Sequence, residues 1–200
     1  MLAAFVSTAL TAAAALSFAT AVSATPATLD KRINFRSCSV AQQDQVVAGV
    51  AEAQRYADDA VRNLQTKPDT SRFRAWFGDF DTARHETVLE NFRKIANSRF
   101  GSYTYDCACD SPYSFGQVRP EEFGVIGICP RFWDAPATGT NSKGGVLVHL
   151  ASQFKSLAAT DILFPGKDAA FNIAMRDPAK ALANAANYEY FAENDAPTRD

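Results

Sequence analysis

The sequence predicts a single α+β domain, and three observations carry that expectation. Two segments, 39–67 and 82–99, place apolar residues at the three- and four-residue steps of one helix face. The stretch SYTYDCACDSPYSFGQVRPEEFGVIGICP is instead rich in aromatics, glycines and short alternating runs, the texture of two or three strands joined by turns. Four cysteines, all downstream of the first 24 residues, suit an oxidising compartment and suggest two disulfides. At 200 residues the chain has the length of one ordinary domain.

Each element follows from local signals. Residues 1–24, MLAAFVSTALTAAAALSFATAVSA, are small and apolar and end in Val22-Ser23-Ala24, a cleavage-site pattern. They read as a secretory signal peptide, because the apolar run is short and broken by Ser and Thr. Residues 25–32 read as a short pro-segment ending in the dibasic pair Lys31-Arg32, so the mature domain is expected over 33–200. Ser39 with Gln42 three residues on forms a capping box. The stripe Val46, Val50, Ala53, Ala57, Val61 and Leu64 then continues the helix until Lys67-Pro68 stops it. A second helix is expected over 82–99 with Val88, Leu89, Phe92 and Ile95 facing in, and a third over 143–157. Asp177-Pro178 supplies an N-cap and a proline at the first helical position. A last helical region, AKALANAANYEYFAEN, closes the fold, and the tail after Asn194 is expected to be loose.

A formal charge of -2 gives no electrostatic footprint for nucleic acid or an anionic membrane. No second hydrophobic span follows the first, which makes a soluble secreted protein the expectation, and a monomer is expected.

The segment GGVLVHLASQF has the build of a zinc-protease helix with the wrong residues at the reactive positions. H-E-x-x-H puts two imidazoles one turn apart on a metal and a glutamate beside it as base. Here the five residues are His149, Leu150, Ala151, Ser152 and Gln153. A plain packed helix describes the same residues well: Leu147, Leu150, Phe154 and Leu157 form a core stripe, and Gln153 could share a hydrogen bond with His149 one turn away. Ser152 lies three residues from His149, but no acid follows to orient the imidazole and no G-x-S-x-G elbow surrounds the serine. His85 reads as a surface or packing residue, Glu189 as a capping or hydrogen-bonding one, and Trp133 as packing beside a cleft.

Taken together, FRAWFGDFDTARHETVLENF, SYTYDCACD, IGICPRFWDAPATGTNSKGGVLVHLASQF and NAANYEYFAEN closely resemble the deuterolysin-type (M35) metalloendopeptidases, in particular the fungal peptidyl-lysine enzymes. The resemblance covers roughly 37–197 with the cysteine spacing intact. It implies a zincin-like α+β fold, with helices beside a small, mostly antiparallel sheet. It also implies the pairing Cys38–Cys107 and Cys109–Cys129.

Carried over position by position, the family's first zinc histidine falls on His149, its general-base glutamate on Leu150 and its second histidine on Gln153. The aspartate ligand of its G-T-x-D motif falls on Ile162, Asp161 being one place early, and a tyrosine that steadies the transition state falls on Pro165. Of the two acids that grip the substrate lysine, one falls on Ala186 and the other is retained as Glu189. A lone imidazole beside an amide and hydrocarbons should not hold zinc, so no cofactor is expected, and Leu150 has no atom to accept a proton. The resulting expectation is a secreted pseudo-peptidase whose old cleft binds a peptide or a protein, whether as an inhibitor decoy, a host-directed effector or a cell-surface component. The alternative is a weakly active endopeptidase with zinc held through His149, Asp161 and another group.

Overall fold

The computed structural model describes residues 33–194. The expected signal peptide, pro-segment and terminal tail lie outside the described residues.

Helix α1 (Val40–Thr66) opens on the expected capping box: the Gln42 amide donates to Ser39 Oγ at 3.3 Å, and the Ser39 amide donates to Gln42 Oε1 at 2.9 Å. Each side chain thereby satisfies a donor that the helix leaves open. Val46, Val50, Ala53, Ala57 and Leu64 are buried as their spacing predicts, and Val61 partly so. α2 (Ser71–Phe77) was not legible in FRAWFGDFD, a seven-residue helix too short to show a period; Thr70 caps it. α3 (Thr82–Asn97) matches its expected span, with Asp81 Oδ1 accepting from the Arg84 amide at 2.8 Å.

Four short strands form one sheet: β1 (Asn34–Arg36), β2 (Thr104–Asp106), β3 (Gly116–Val118) and β4 (Val125–Ile128), in the order β1-β2-β4-β3. The sheet is mixed, which corrects the expectation of a mostly antiparallel one. β1–β2 and β2–β4 are parallel, and only β3–β4 is antiparallel. The connections explain this. Three helices separate β1 from β2, and so long a crossover returns the chain in its starting direction. After β2 the chain runs out to the edge as β3 and turns back as β4 between them.

Both disulfides are the expected ones, Cys38–Cys107 and Cys109–Cys129. The first joins the start of α1 to the end of β2, closing 69 residues, and the second closes 20.

The C-terminal half carries α4 (Arg131–Asp134), α5 (Lys143–Ser152), α6 (Lys167–Arg176), α7 (Pro178–Leu182) and α8 (Ala185–Ala192). α5 stops at Ser152 rather than at Leu157. The Ser152 hydroxyl bonds the His149 carbonyl and Thr160 Oγ1, both at 2.7 Å, and the Thr160 amide donates to the Ser152 carbonyl at 3.1 Å. Those bonds fold the chain back, and Phe154 and Leu157 keep their core positions from the turn. α7 begins at Asp177-Pro178 as expected, but Asn184 breaks the last helical region into α7 and α8. α6 carried no clear sequence signal; it buries only Ala170 and Ala174.

α5 packs against both α1 and α8. Gly144 permits the first contact, since a Cβ there would lie 2.7 Å from Glu52 Cγ and 3.0 Å from the Ala53 nitrogen. α8 is clamped at its C-terminal end by buried Arg72, which donates to the Phe191 carbonyl at 2.6 Å and the Ala192 carbonyl at 3.2 Å. A cation there complements the negative end of the helix dipole. Arg72 also pairs with Asp59 Oδ2 of α1 at 2.9 Å, so α8 is held in place relative to α1 and α5.

Candidate functional site

A cleft of about 390 Å³ opens among β3, α4, α5, the loop before α6, and α8. Its lining includes His149 and Leu150 from α5, Glu189 from α8, and Ile162 and Pro165 from the loop. The structure therefore gathers five of the seven positions singled out from the sequence. The other two do not face the cleft. Ala186 is buried in the core, and Gln153, which caps the end of α5, does not line the cavity.

His149 and Glu189 meet directly. His149 Nδ1 donates to Glu189 Oε2 at 2.8 Å, with the two side chains 15% and 7% exposed. In a neutral ring this leaves Nε2 as the nitrogen with the lone pair. The expected bond between Gln153 and His149 is absent: among the described residues Gln153 Nε2 is buried with no hydrogen-bond partner. His149 is engaged instead by Glu189, and Gln153, the C-cap of α5, lies outside the cleft lining. Asp161 is also directed elsewhere, its Oδ1 accepting from the Ile162 amide at 2.7 Å, and it is not part of the cleft wall. Leu150, 3% exposed, packs over β3 closely enough that a side chain at Gly116 would strike its Cδ1.

Sequence reasoning passed over three groups that build this site. Asn184 accepts from the amides of Leu163 and Phe164 at 3.2 and 3.0 Å and donates to the Phe164 carbonyl at 3.1 Å, pinning the loop that carries Ile162 and Pro165. Asn187 is buried and donates to the carbonyls of Trp76 and Ala170 at 2.6 and 2.9 Å, fixing the start of α8. The i, i+3 spacing of these two in NAANYEYFAEN was the available signal. The third is Glu193, whose Oε1 accepts from the Ser142 amide and hydroxyl at 2.7 and 2.8 Å and whose Oε2 accepts from the Asn141 amide at 3.2 Å. Burial pushes this carboxyl up to about 8, with help from nearby Glu189 and against those three donors. His85, by contrast, fits its packing assignment: it is buried between Phe73 and Phe80, and Nε2 lies 3.1 Å from the Leu64 carbonyl.

Comparison with known proteins places this geometry. The family profile described as lysine-specific metallo-endopeptidase (Aspzincin_M35) matches residues 62–193. The chain is 41% identical over 161 residues to a peptidyl-Lys metalloendopeptidase of Pleurotus ostreatus, covering 80% of this chain and 96% of that protein. It is 38% identical over 179 residues to an extracellular protease of Aeromonas hydrophila, covering 88% of this chain. The chain spans only about half, between 48% and 51%, of the other curated relatives it matches. Among solved structures it superposes on the zinc peptidase from Grifola frondosa with a TM-score of 0.77 at 39% identity, covering 78% of this chain and 97% of that one.

These likenesses correct the expectation of no cofactor: the family is one of metallo-endopeptidases and the solved relative is a zinc peptidase, so zinc is the metal they point to. The donors at the motif positions nevertheless do not fit a complete zinc set. Catalytic zinc takes three protein ligands and keeps one position open. Ile162 is a hydrocarbon, and Gln153 offers only a neutral amide and does not line the cleft. Among the described residues no three His, Cys, Asp or Glu side chains gather as a metal cage. Of the positions that the family resemblance assigns to ligands, His149 alone is a residue type that holds zinc well. Sequence, fold and comparison thus agree on parentage, and the chain belongs to the lysine-specific metallo-endopeptidase (M35) family.

Proposed function

We propose that this protein is a family member that binds polypeptide in the inherited cleft without cleaving it. The protein is secreted, in keeping with its two disulfides and its extracellular relative. No helix among the described residues is long and apolar enough to cross a membrane.

One observation carries the reading. The position from which the family's base acts is occupied by Leu150, which lines the cleft but has no atom to take a proton from an attacking water. This holds whatever metal the cleft takes up, because the deficit is in proton transfer. The acid that does reach the cleft, Glu189, is engaged by His149 at 2.8 Å. Pro165 at the family's tyrosine position offers no hydroxyl to an oxyanion. What remains is a concave, partly apolar cavity with a few fixed polar groups, which is the make-up of a binding site. The partner is accordingly a peptide or a protein segment, bound by one copy of the chain.

A second reading, favoured by 41% identity to a named peptidase, is weak endopeptidase activity with a non-standard zinc site. Titration of denatured polypeptides into zinc-supplied protein, with mass spectrometry of the mixture, separates the two. Binding that leaves the polypeptide intact and changes in Glu189→Ala supports the proposal. Equal affinity of the Glu189→Ala variant counts against the cleft, and chelator-sensitive fragments establish the second reading.

A further inference from the structure

We infer that the cleft selects a polypeptide segment carrying a carboxylate beside an apolar residue, a reversal of the family's preference for lysine. This rests on the proposal that the cleft binds peptide, and it names the chemistry of the peptide.

The argument is one of charge and surface. The cleft lining contains two cations, Arg131 and Lys167, besides His149, and a single acid, Glu189. One oxygen of that acid is already taken by His149 at 2.8 Å. The second acid that a lysine pocket would need is missing, since Ala186 stands there and is buried in the core. An incoming ammonium would therefore meet one half-engaged carboxylate and the like charge of Arg131, and like charges across an interface are strongly disfavoured. An incoming carboxylate meets the opposite arrangement.

Arg131 is also held ready for it. Its guanidinium lies over the Phe115 ring, 4.4 Å from the centroid, and donates to the Tyr113 carbonyl at 3.4 Å. That leaves further N–H donors of a planar fork, the geometry suited to a carboxylate. No carboxylate lies in ion-pair reach of Arg131 among the described residues. The apolar half of the preference comes from Ile162 and Tyr113, both lining the cleft and exposed at 53% and 85%. Large apolar side chains so exposed at the mouth of a cavity are suited to cover an apolar residue of a ligand.

The test uses three fluorescent octapeptides that differ only in a central pair, Glu-Leu, Gln-Leu or Lys-Leu, with affinity read by anisotropy on the intact protein. The Glu-Leu peptide should bind at least about tenfold more tightly than Gln-Leu, with Lys-Leu weakest. Arg131→Gln, at an exposed position, should remove most of the Glu-over-Gln preference. Tightest binding of Lys-Leu, or equal binding of all three, overturns the inference while leaving peptide binding intact. Failure of all three to bind overturns both.

Discussion

Nδ1 of His149 lies 2.8 Å from Oε2 of Glu189, joining the last turn of α5 to the middle of α8 at the wall of the cleft. The bond ties the residue that the family resemblance puts at a zinc-ligand position to the one it puts in the lysine pocket. Both side chains are largely buried, so removing one partner leaves the other unsatisfied. Glu189→Ala should lower stability by roughly 1–3 kcal/mol in urea unfolding, and Glu189→Gln, which keeps an acceptor, by less.

Gly145 and Glu193 define the close approach of α5 to α8. A Cβ at Gly145 would overlap Glu193 Oε1, and that carboxylate is held by the Ser142 amide and hydroxyl and the Asn141 amide. Gly145→Ala should therefore destabilise by about 1–3 kcal/mol despite the better helix propensity of alanine. Gly101→Ala, where an added Cβ meets nothing within 4 Å, is the control and should be close to neutral.

The same Glu193 sets a pH dependence. Its folded carboxyl is raised to about 8, so the folded state holds a proton that the unfolded chain releases near the ordinary carboxylate range. Its contribution is fully present below the unfolded pKa and is lost as pH rises through about 8. Wild-type stability should thus fall by a few kcal/mol, as an order of magnitude, between about pH 5 and pH 8. Glu193→Gln should flatten that slope. Glu189→Ala should shift the fall to lower pH, because the neighbouring charge that helps to raise Glu193 is gone.

The Cys38–Cys107 bridge closes 69 residues and the Cys109–Cys129 bridge 20. On the chain-entropy model they restrict the unfolded chain by about 4 and about 3 kcal/mol. Replacing both cysteines of the first pair by serine should therefore cost more in thermal unfolding than the same change in the second.

Much of the scaffold could be read from local chemistry. Ser39 and Gln42 announce α1, Lys67-Pro68 end it, and Asp177-Pro178 open α7, because caps and prolines act within a few residues. Strand direction was not legible, because it depends on the route of the connections, and FRAWFGDFD is too short to display a helical period. At the site, His149, Leu150, Ile162, Pro165 and Glu189 could be placed in one cleft through the family resemblance. Glu193 could not: an acid at the end of a helix reads as solvated, and only the packing of α8 brings it to the start of α5. The expected His149–Gln153 contact failed for a similar reason, since the partner that His149 takes is Glu189 of α8, which helix spacing within α5 does not reveal.

The claim that hydrolysis is lost through side chains, with the cleft kept, is tested most directly by restoring Leu150→Glu, Gln153→His and Ile162→Asp together. Wild type and variant would be supplied with the same zinc and incubated with the same lysine-bearing polypeptide. Chelator-sensitive cleavage by the triple variant alone is the predicted result. Comparable cleavage by the unaltered chain would show that a hydrocarbon at position 150 is no barrier to the reaction.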